Sequence, residues 1–226
     1  MTKRFRVIKL YGKLNFKMYL PKIYPITDTH ITNLSHTEQV KRLIEGGAKL
    51  IQLREKYSSP KVFYEDALEA VNIARTENVR IIINDRVDLA LALKADGVHL
   101  GQNDLSPIEA RKILGKNAII GFSTHNLRQA SETSNLPINY AAIGPVFVTK
   151  TKISPDSEVG LETIKKVREV IGDLPLVAIG GINSANFLEV LKAADSVAII
   201  NDLLSDPNEI SAKTKIFITK TQNIEN

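Results

Sequence analysis

The sequence predicts an α/β fold, a single TIM (β/α)8 barrel with a short basic N-terminal extension. Three observations predict it. From residue 22 onward, short β-branched runs alternate with segments of helical spacing, the order that consecutive βα units around a parallel sheet require, and eight such units can be counted. The length of 226 residues suits one barrel, which takes roughly 200 to 250. No linker, low-complexity segment or composition shift divides residues 18–226, so these are read as one catalytic barrel domain preceded by an extension, residues 1–17.

In chain order, strands are expected at Lys22–Thr27, Leu50–Glu55, Arg80–Asn84, Gly97–Leu100, Ala118–Ser123, Tyr140–Val146, Leu176–Ile179 and Ser196–Ile200. The second carries the most information. Its alternation puts Gln52, Arg54 and Lys56 on one face and Ile51 and Leu53 on the other. A strand buried on both sides normally reads as a continuous apolar run, so two cations here call for an anionic ligand or carboxylates. Between strands, Val62, Ala67, Leu68, Val71 and Ala74, then Ile164, Val167, Val170 and Ile171, recur at helical spacing. Pro60, Pro107 and Pro207 sit where helices start, and Gly115 and Gly172 where they stop.

Composition narrows the function classes. With no cysteine there is no disulfide framework, thiolate nucleophile or cysteine-based metal site. No apolar run approaches the roughly 18 residues of a membrane span, and no secretory apolar core opens the chain, so a cytoplasmic protein without a membrane is expected. The net charge of +5 resembles a nucleic-acid signal until it is located. Lys3, Arg4, Arg6, Lys9, Lys13 and Lys17 lie in the acid-free extension, leaving 24 basic against 25 acidic residues elsewhere. The barrel itself is therefore not expected to bind nucleic acid. The extension reads as a solvated arm; a transit peptide would be richer in serine, and Met18 is an alternative start. Oligomeric state is left open, a homo-oligomer being compatible.

Barrel enzymes work at the C-terminal ends of their strands, and this chain puts polar residues at nearly every one. Strand 2 ends in Gln52, Arg54 and Lys56; strand 3 in Asn84, Asp85 and Arg86; strand 4 in the stretch from His99 through Gln102 and Asn103 to Asp104; strand 5 in Ser123 and His125. Strand 6 leads to a polar loop containing Thr149, Thr151 and Lys152, and strand 7 to Gly180-Gly181. Asp85 and Asp104, ending neighbouring strands, are the expected Mg²⁺ ligands, since magnesium takes one or two carboxylates and completes its shell with water and phosphate oxygens. Each alone reads more simply as a helix N-cap; beside Arg54, Lys56 and Lys152 the metal reading gains, because a diphosphate needs both a divalent ion and cations. His99 and His125 face the mouth as structural or acid–base residues alike. His30 and His36 show no ligand spacing.

The ordered set Gln52-Leu-Arg54-Glu55-Lys56, Asn84-Asp85-Arg86, Gly97-Val-His99-Leu-Gly101-Gln102-x-Asp104, Gly121-x-Ser123-x-His125, Gly144-Pro145, Thr149-x-Thr151-Lys152 and Ile179-Gly180-Gly181-Ile182 resembles the thiamine-phosphate synthase family from about Pro21 onward. The resemblance implies a TIM barrel that joins hydroxymethylpyrimidine diphosphate to hydroxyethylthiazole phosphate with Mg²⁺ and releases pyrophosphate. It implies that Gln52, with Tyr24 and His99, holds the pyrimidine. Arg54, Lys56, Asn84, Ser123 and Lys152 would hold the diphosphate, with Arg54, Lys56, Ser123 and Lys152 in catalytic roles. Asp85 and Asp104 would hold the metal, and Thr149, Thr151, Gly180, Gly181 and Asn201 the thiazole phosphate.

The chain departs from that pattern after strand 8, where Ser196 and Asn201-Asp202 replace smaller residues. Asp202 is expected to cap the next helix, since a carboxylate facing a phosphate would repel it. Two alternatives stand beside the synthase: a thiazole tautomerase of the sister family, using His125 and needing no aspartate pair, and a non-catalytic barrel that binds thiamine phosphates.

Overall fold

The structure is a computed structural model describing residues 18, 20–149 and 157–222. Eight parallel strands close a barrel in sequence order, β1 (Ile23–Thr27), β2 (Leu50–Leu53), β3 (Arg80–Asn84), β4 (Gly97–Leu100), β5 (Ile119–Thr124), β6 (Tyr140–Ile143), β7 (Leu176–Ile179) and β8 (Ser196–Ile199). β8 pairs with β1, so no edge is left open.

Strand bounds differ from expectation where backbone chemistry intervenes. β2 stops at Leu53, which places Arg54 and Lys56 on the following loop rather than on the strand face, and β6 stops before Pro145, which has no N–H for the ladder.

The helices among the described residues are α1 (Thr29–Thr32), α2 (His36–Glu45), α3 (Pro60–Thr76), α4 (Val87–Ala92), α5 (Pro107–Leu114), α6 (Leu127–Glu132), α7 (Gly160–Ile171), α8 (Phe187–Val190), α9 (Asn201–Leu204) and α10 (Ile210–Gln222). Ser35, Ser59 and Ser106 cap α2, α3 and α5 with their hydroxyls. Pro60 and Pro107 occupy first turns, and Pro207 opens a 3₁₀ turn. The helix faces need correction: Val62, Leu68 and Val170 are exposed, and the inward rows are Phe63, Ala67, Ala70, Val71 and Ala74 in α3 and Ile164, Val167 and Ile171 in α7. The apolar residues at 62, 68 and 170 lie beside those rows, where burial ends.

Strand alternation divides the core in two. Ile51, Leu53, Ile81, Ile83, Val98, Leu100, Ile120 and Ala141 point outward and pack under the helices. Tyr24, Ile26, Leu50, Ile82, Ile119, Tyr140, Ala142, Val177 and Ala198 fill the barrel, and Met18 and Leu20 join this inner cluster just ahead of β1. The inward positions nearer the strand ends turn polar, with Gln52, Asn84, His99 and Ser123 above the apolar fill. No helix among the described residues is long and apolar enough to cross a membrane.

Candidate active site

The two cations after β2 are each met by a carboxylate. Arg54 pairs with Asp28, which follows β1 and is nearly buried, while Lys56 pairs with Asp85 after β3. Asp85 takes a left-handed backbone conformation (φ 62°), tolerable for aspartate, and its N–H donates to the His99 carbonyl at 2.8 Å. The carboxyl of Asp85 stands near enough to that of Asp104 for the two to interact. Burial, then the neighbouring Asp85, raises the Asp104 pKa above the usual carboxylate range, although the Gly101 N–H at 2.6 Å and Lys56 oppose this.

Neither aspartate is a helix cap. The N-cap of α4 is Arg86 and that of α5 is Ser106, so the simpler expectation fails for both residues. Two converging carboxylates are a donor set that magnesium shares with phosphate oxygens, while Lys56, paired with Asp85, is a cation suited to a phosphate. Among the described residues no group of three or more histidine, cysteine or acidic residues gathers into an all-protein metal cage.

Beneath the charges lies an uncharged polar floor. Gln52 Nε2 donates to the Tyr24 hydroxyl at 3.1 Å, Tyr24 meets Tyr140 at 3.0 Å, Tyr140 meets His99 Nδ1 at 2.9 Å, and His99 Nε2 meets Ser123 Oγ at 2.8 Å. Burial pushes the His99 pKa down to about 4 against the attraction of Asp85, so the ring is neutral at physiological pH. Asn84, beside His99 on β3, makes no side-chain hydrogen bond with described residues. His125 Nδ1 lies 2.7 Å from the Gly144 carbonyl, joining the ends of β5 and β6.

At the far side of the mouth, Gly180 and Gly181 both have positive φ and press against the loop after β6; a Cβ on Gly181 would lie 2.6 Å from the Val148 carbonyl oxygen. Thr149 is half-buried in that loop, while Thr151 and Lys152 lie outside the described residues, as does the extension 1–17. Asn201 is exposed at the first position of α9. Asp202 does not cap: Ile200 holds that position, and the Asp202 carboxylate accepts the Ser184 N–H at 2.7 Å, tying α9 to the loop after β7. A cavity of about 430 Å³ opens at the opposite end of the barrel, beside Met18, Leu50 and Arg80, away from these polar groups.

The family model described as thiamine monophosphate synthase matches residues 23–203. The chain belongs to the thiamine monophosphate synthase family. It is 44% identical to a thiamine-phosphate synthase of Clostridium novyi over 196 residues, covering 85% of this chain and 93% of that one. A thiamine-phosphate synthase of Chloroflexus aurantiacus is 37% identical over 205 residues, covering 89% and 94%. The solved thiamine phosphate pyrophosphorylase from Pyrococcus furiosus superposes with a TM-score of 0.82 at 33% identity, over 91% of this chain and 97% of that one. The fold and family read from the sequence are thus those found.

Several participants escaped the sequence reading. Asp28 directly follows β1, so the rule applied to the other strands would have found it; Tyr140 occupies an inward position of β6, where alternation with Ala142 is the only signal. The Glu55 side chain, 4% exposed, accepts the Tyr57 and Ser58 N–H groups and the Thr29 hydroxyl, bracing the loop that carries Lys56. His36 Nε2 approaches it at 3.4 Å without hydrogen-bond geometry. That imidazole, assisted by those backbone N–H groups and the threonine and opposed by burial, holds the Glu55 carboxyl well below the usual range.

The depressed value gives a sign for pH dependence. Glu55 stabilises the fold fully above its unfolded pKa of about 4.3, and that contribution is lost as pH falls toward the folded value. Glu55→Gln should therefore be less stable than wild type at pH 7 and should lose part of the acid limb between about pH 4.5 and 3. Melting temperatures of both proteins across pH 3–8 check this; parallel curves would remove Glu55 from the acid response.

Proposed function

We propose that this barrel mouth joins hydroxymethylpyrimidine diphosphate to hydroxyethylthiazole phosphate, giving thiamine phosphate and pyrophosphate. The observation that carries the reading is the convergence of Asp85, Asp104, Lys56 and Arg54 over a neutral floor of Gln52, His99 and Ser123. Charge is gathered where a diphosphate leaves, and polar neutral groups lie where an aminopyrimidine would sit.

In this reading the C–O bond between the pyrimidine methylene and the diphosphate breaks with its electron pair going to the diphosphate. The thiazole nitrogen then supplies the pair for the new C–N bond. No protein nucleophile is needed, and the chain supplies leaving-group stabilisation and positioning. Asp85 and Asp104 would hold Mg²⁺, which when bound neutralises charge on the diphosphate. Arg54 and Lys56, now paired with Asp28 and Asp85, are the cations that turn to the diphosphate, joined by Asn84, Ser123 and Lys152. Gln52 takes the aminopyrimidine beside Tyr24 and His99. Thr149, Thr151, Gly180, Gly181 and Asn201 face the thiazole phosphate. The same reading places the enzyme in the cytoplasm, since ionised phosphorylated substrates cross the lipid core only at high cost.

Incubating the protein with both substrates and Mg²⁺ should release pyrophosphate and thiamine phosphate in equal amounts. Tautomerisation of a thiazole without pyrophosphate release would overturn the reading in favour of the sister activity.

Asp202 makes the phosphate end testable. Because its carboxylate is taken up by Ser184, Asp202→Ala should leave thiazole-phosphate affinity unchanged and cost about 1 kcal/mol of stability, a fall of roughly 2 to 4 °C in melting temperature. Titration calorimetry and a melting curve on the same variant decide it; tighter binding at constant stability would show that Asp202 repels the phosphate.

A further inference from the structure

The row Gln52, Tyr24, Tyr140, His99 and Ser123 crosses the inside of the barrel through five different strands. Tyr24 and Tyr140 are fully buried, and among the described residues each hydroxyl hydrogen-bonds only to its two neighbours in the row. A hydroxyl has one proton, so each must donate to one neighbour and accept from the other; otherwise a buried donor is left without an acceptor. Neutral imidazole is bound by the same logic, donating from one nitrogen and accepting at the other.

Only two self-consistent polarities exist. In one, the Gln52 amide donates to Tyr24, Tyr24 to Tyr140, Tyr140 to His99 Nδ1, and His99 Nε2–H to Ser123, whose own proton points outward. In the other every bond is reversed, with the Gln52 carbonyl accepting from Tyr24 and Ser123 donating to His99. Ser123 lies two residues beyond Gly121, the β5 partner of His99, so Nε2 is the mouth-side nitrogen. Gln52 turns its amide nitrogen, which can only donate, toward the Tyr24 hydroxyl at 3.1 Å, and this selects the first polarity.

We infer that this row is a directed relay whose polarity Gln52 sets, with Tyr140 as the positioning residue that holds His99 in its Nε2–H tautomer and leaves the Ser123 proton facing the mouth. Gly121 makes the arrangement fit. A Cβ there would stand 2.1 Å from the Tyr140 ring and 2.5 Å from His99 Nδ1, in the space where the two meet. The consequence rests on the proposed function. With its amide nitrogen toward Tyr24, Gln52 offers its carbonyl oxygen to the amino group of the pyrimidine, while Ser123 offers a proton to the departing diphosphate. Recognition at one end thereby sets the donor at the other, with no proton transferred along the row.

The test reads tautomers directly in the ligand-free protein. With ¹⁵N-labelled histidine, of which the chain has four, long-range ¹H–¹⁵N spectra at pH 8 should show the His99 proton on Nε2, the signal being assigned by its loss in His99→Gln. Gln52→Glu presents an ionised carboxylate that can only accept, so the His99 proton should move to Nδ1. Tyr140→Phe should leave both tautomers populated. A proton on Nδ1 in the wild type overturns the relay, as does an unchanged tautomer in Gln52→Glu. Pyrophosphate release is measured separately: product formation with the wrong tautomer refutes the relay alone, and the expected tautomers without product refute the function alone.

Discussion

Asp104→Ala is expected to lower magnesium-dependent turnover by about 10²- to 10³-fold while leaving the fold intact. The carboxylate sits at the mouth, outside both apolar clusters, so its loss empties no core volume. Its pKa is raised by burial and by Asp85, which means that folding favours its protonated form relative to the unfolded chain. That stabilisation is complete below the unfolded pKa and disappears as pH rises through the folded one, so at neutral pH two carboxylates repel across the site. Removing one relieves the repulsion and gives up the bond from the Gly101 N–H, and the melting temperature should move little. The same repulsion is what a divalent cation cancels. Mg²⁺ should therefore raise the wild-type melting temperature more at pH 7.5 than at pH 4, and this increment should vanish in Asp104→Ala. Near wild-type turnover of the variant at low Mg²⁺ would defeat the metal assignment, as would an undiminished thermal shift.

Arg111→Met should produce the largest loss of stability, about 3 to 5 kcal/mol, with activity per folded molecule retained. Arg111 lies on α5 and is 1% exposed. Its guanidinium donates to the carbonyls of Gly115, Lys116, Ala118 and Pro137 and to Asn139 Oδ1, closing the loop between α5 and β5 and the approach to β6. Methionine fills much of the stem's volume and satisfies none of those oxygens. Each acceptor left buried and unpaired costs free energy, which is why the penalty exceeds that of a surface ion pair. A fall of roughly 6 to 20 °C in melting temperature is expected for a domain of this size. A fall of under 2 °C would mean that water reaches the vacated acceptors and replaces the guanidinium.

The two predictions separate the halves of the molecule that barrel architecture keeps apart. Arg111 secures the helix-to-strand turns at the N-terminal ends of the strands, where change affects stability. Asp104 stands at the C-terminal ends, where change affects chemistry. The alternation of the strands makes this separation possible, because outward residues can be optimised for packing without altering the inward ones.

The sequence by itself determined the barrel, the strand ends at which polar residues gather, and the nearness of Asp85 to Asp104. These follow from local rules. β-branched runs spaced by helical segments leave few architectures open, and consecutive strands in a barrel are neighbours, so residues ending β3 and β4 must converge. Partner choice was decided only in three dimensions. Nothing local shows that Arg54 takes Asp28 while Lys56 takes Asp85, or that Asp202 leaves the cap position for Ser184. The helix faces slipped for the same reason: spacing marks an apolar stripe, but only packing shows that Val62 and Leu68 fall outside it while Phe63 and Ala70 lie within. Tyr140 is the clearest case. It reaches His99 across 41 residues of sequence and through the space that Gly121 leaves open, a contact that exists only because the barrel closes and brings inward side chains of non-adjacent strands to a common axis.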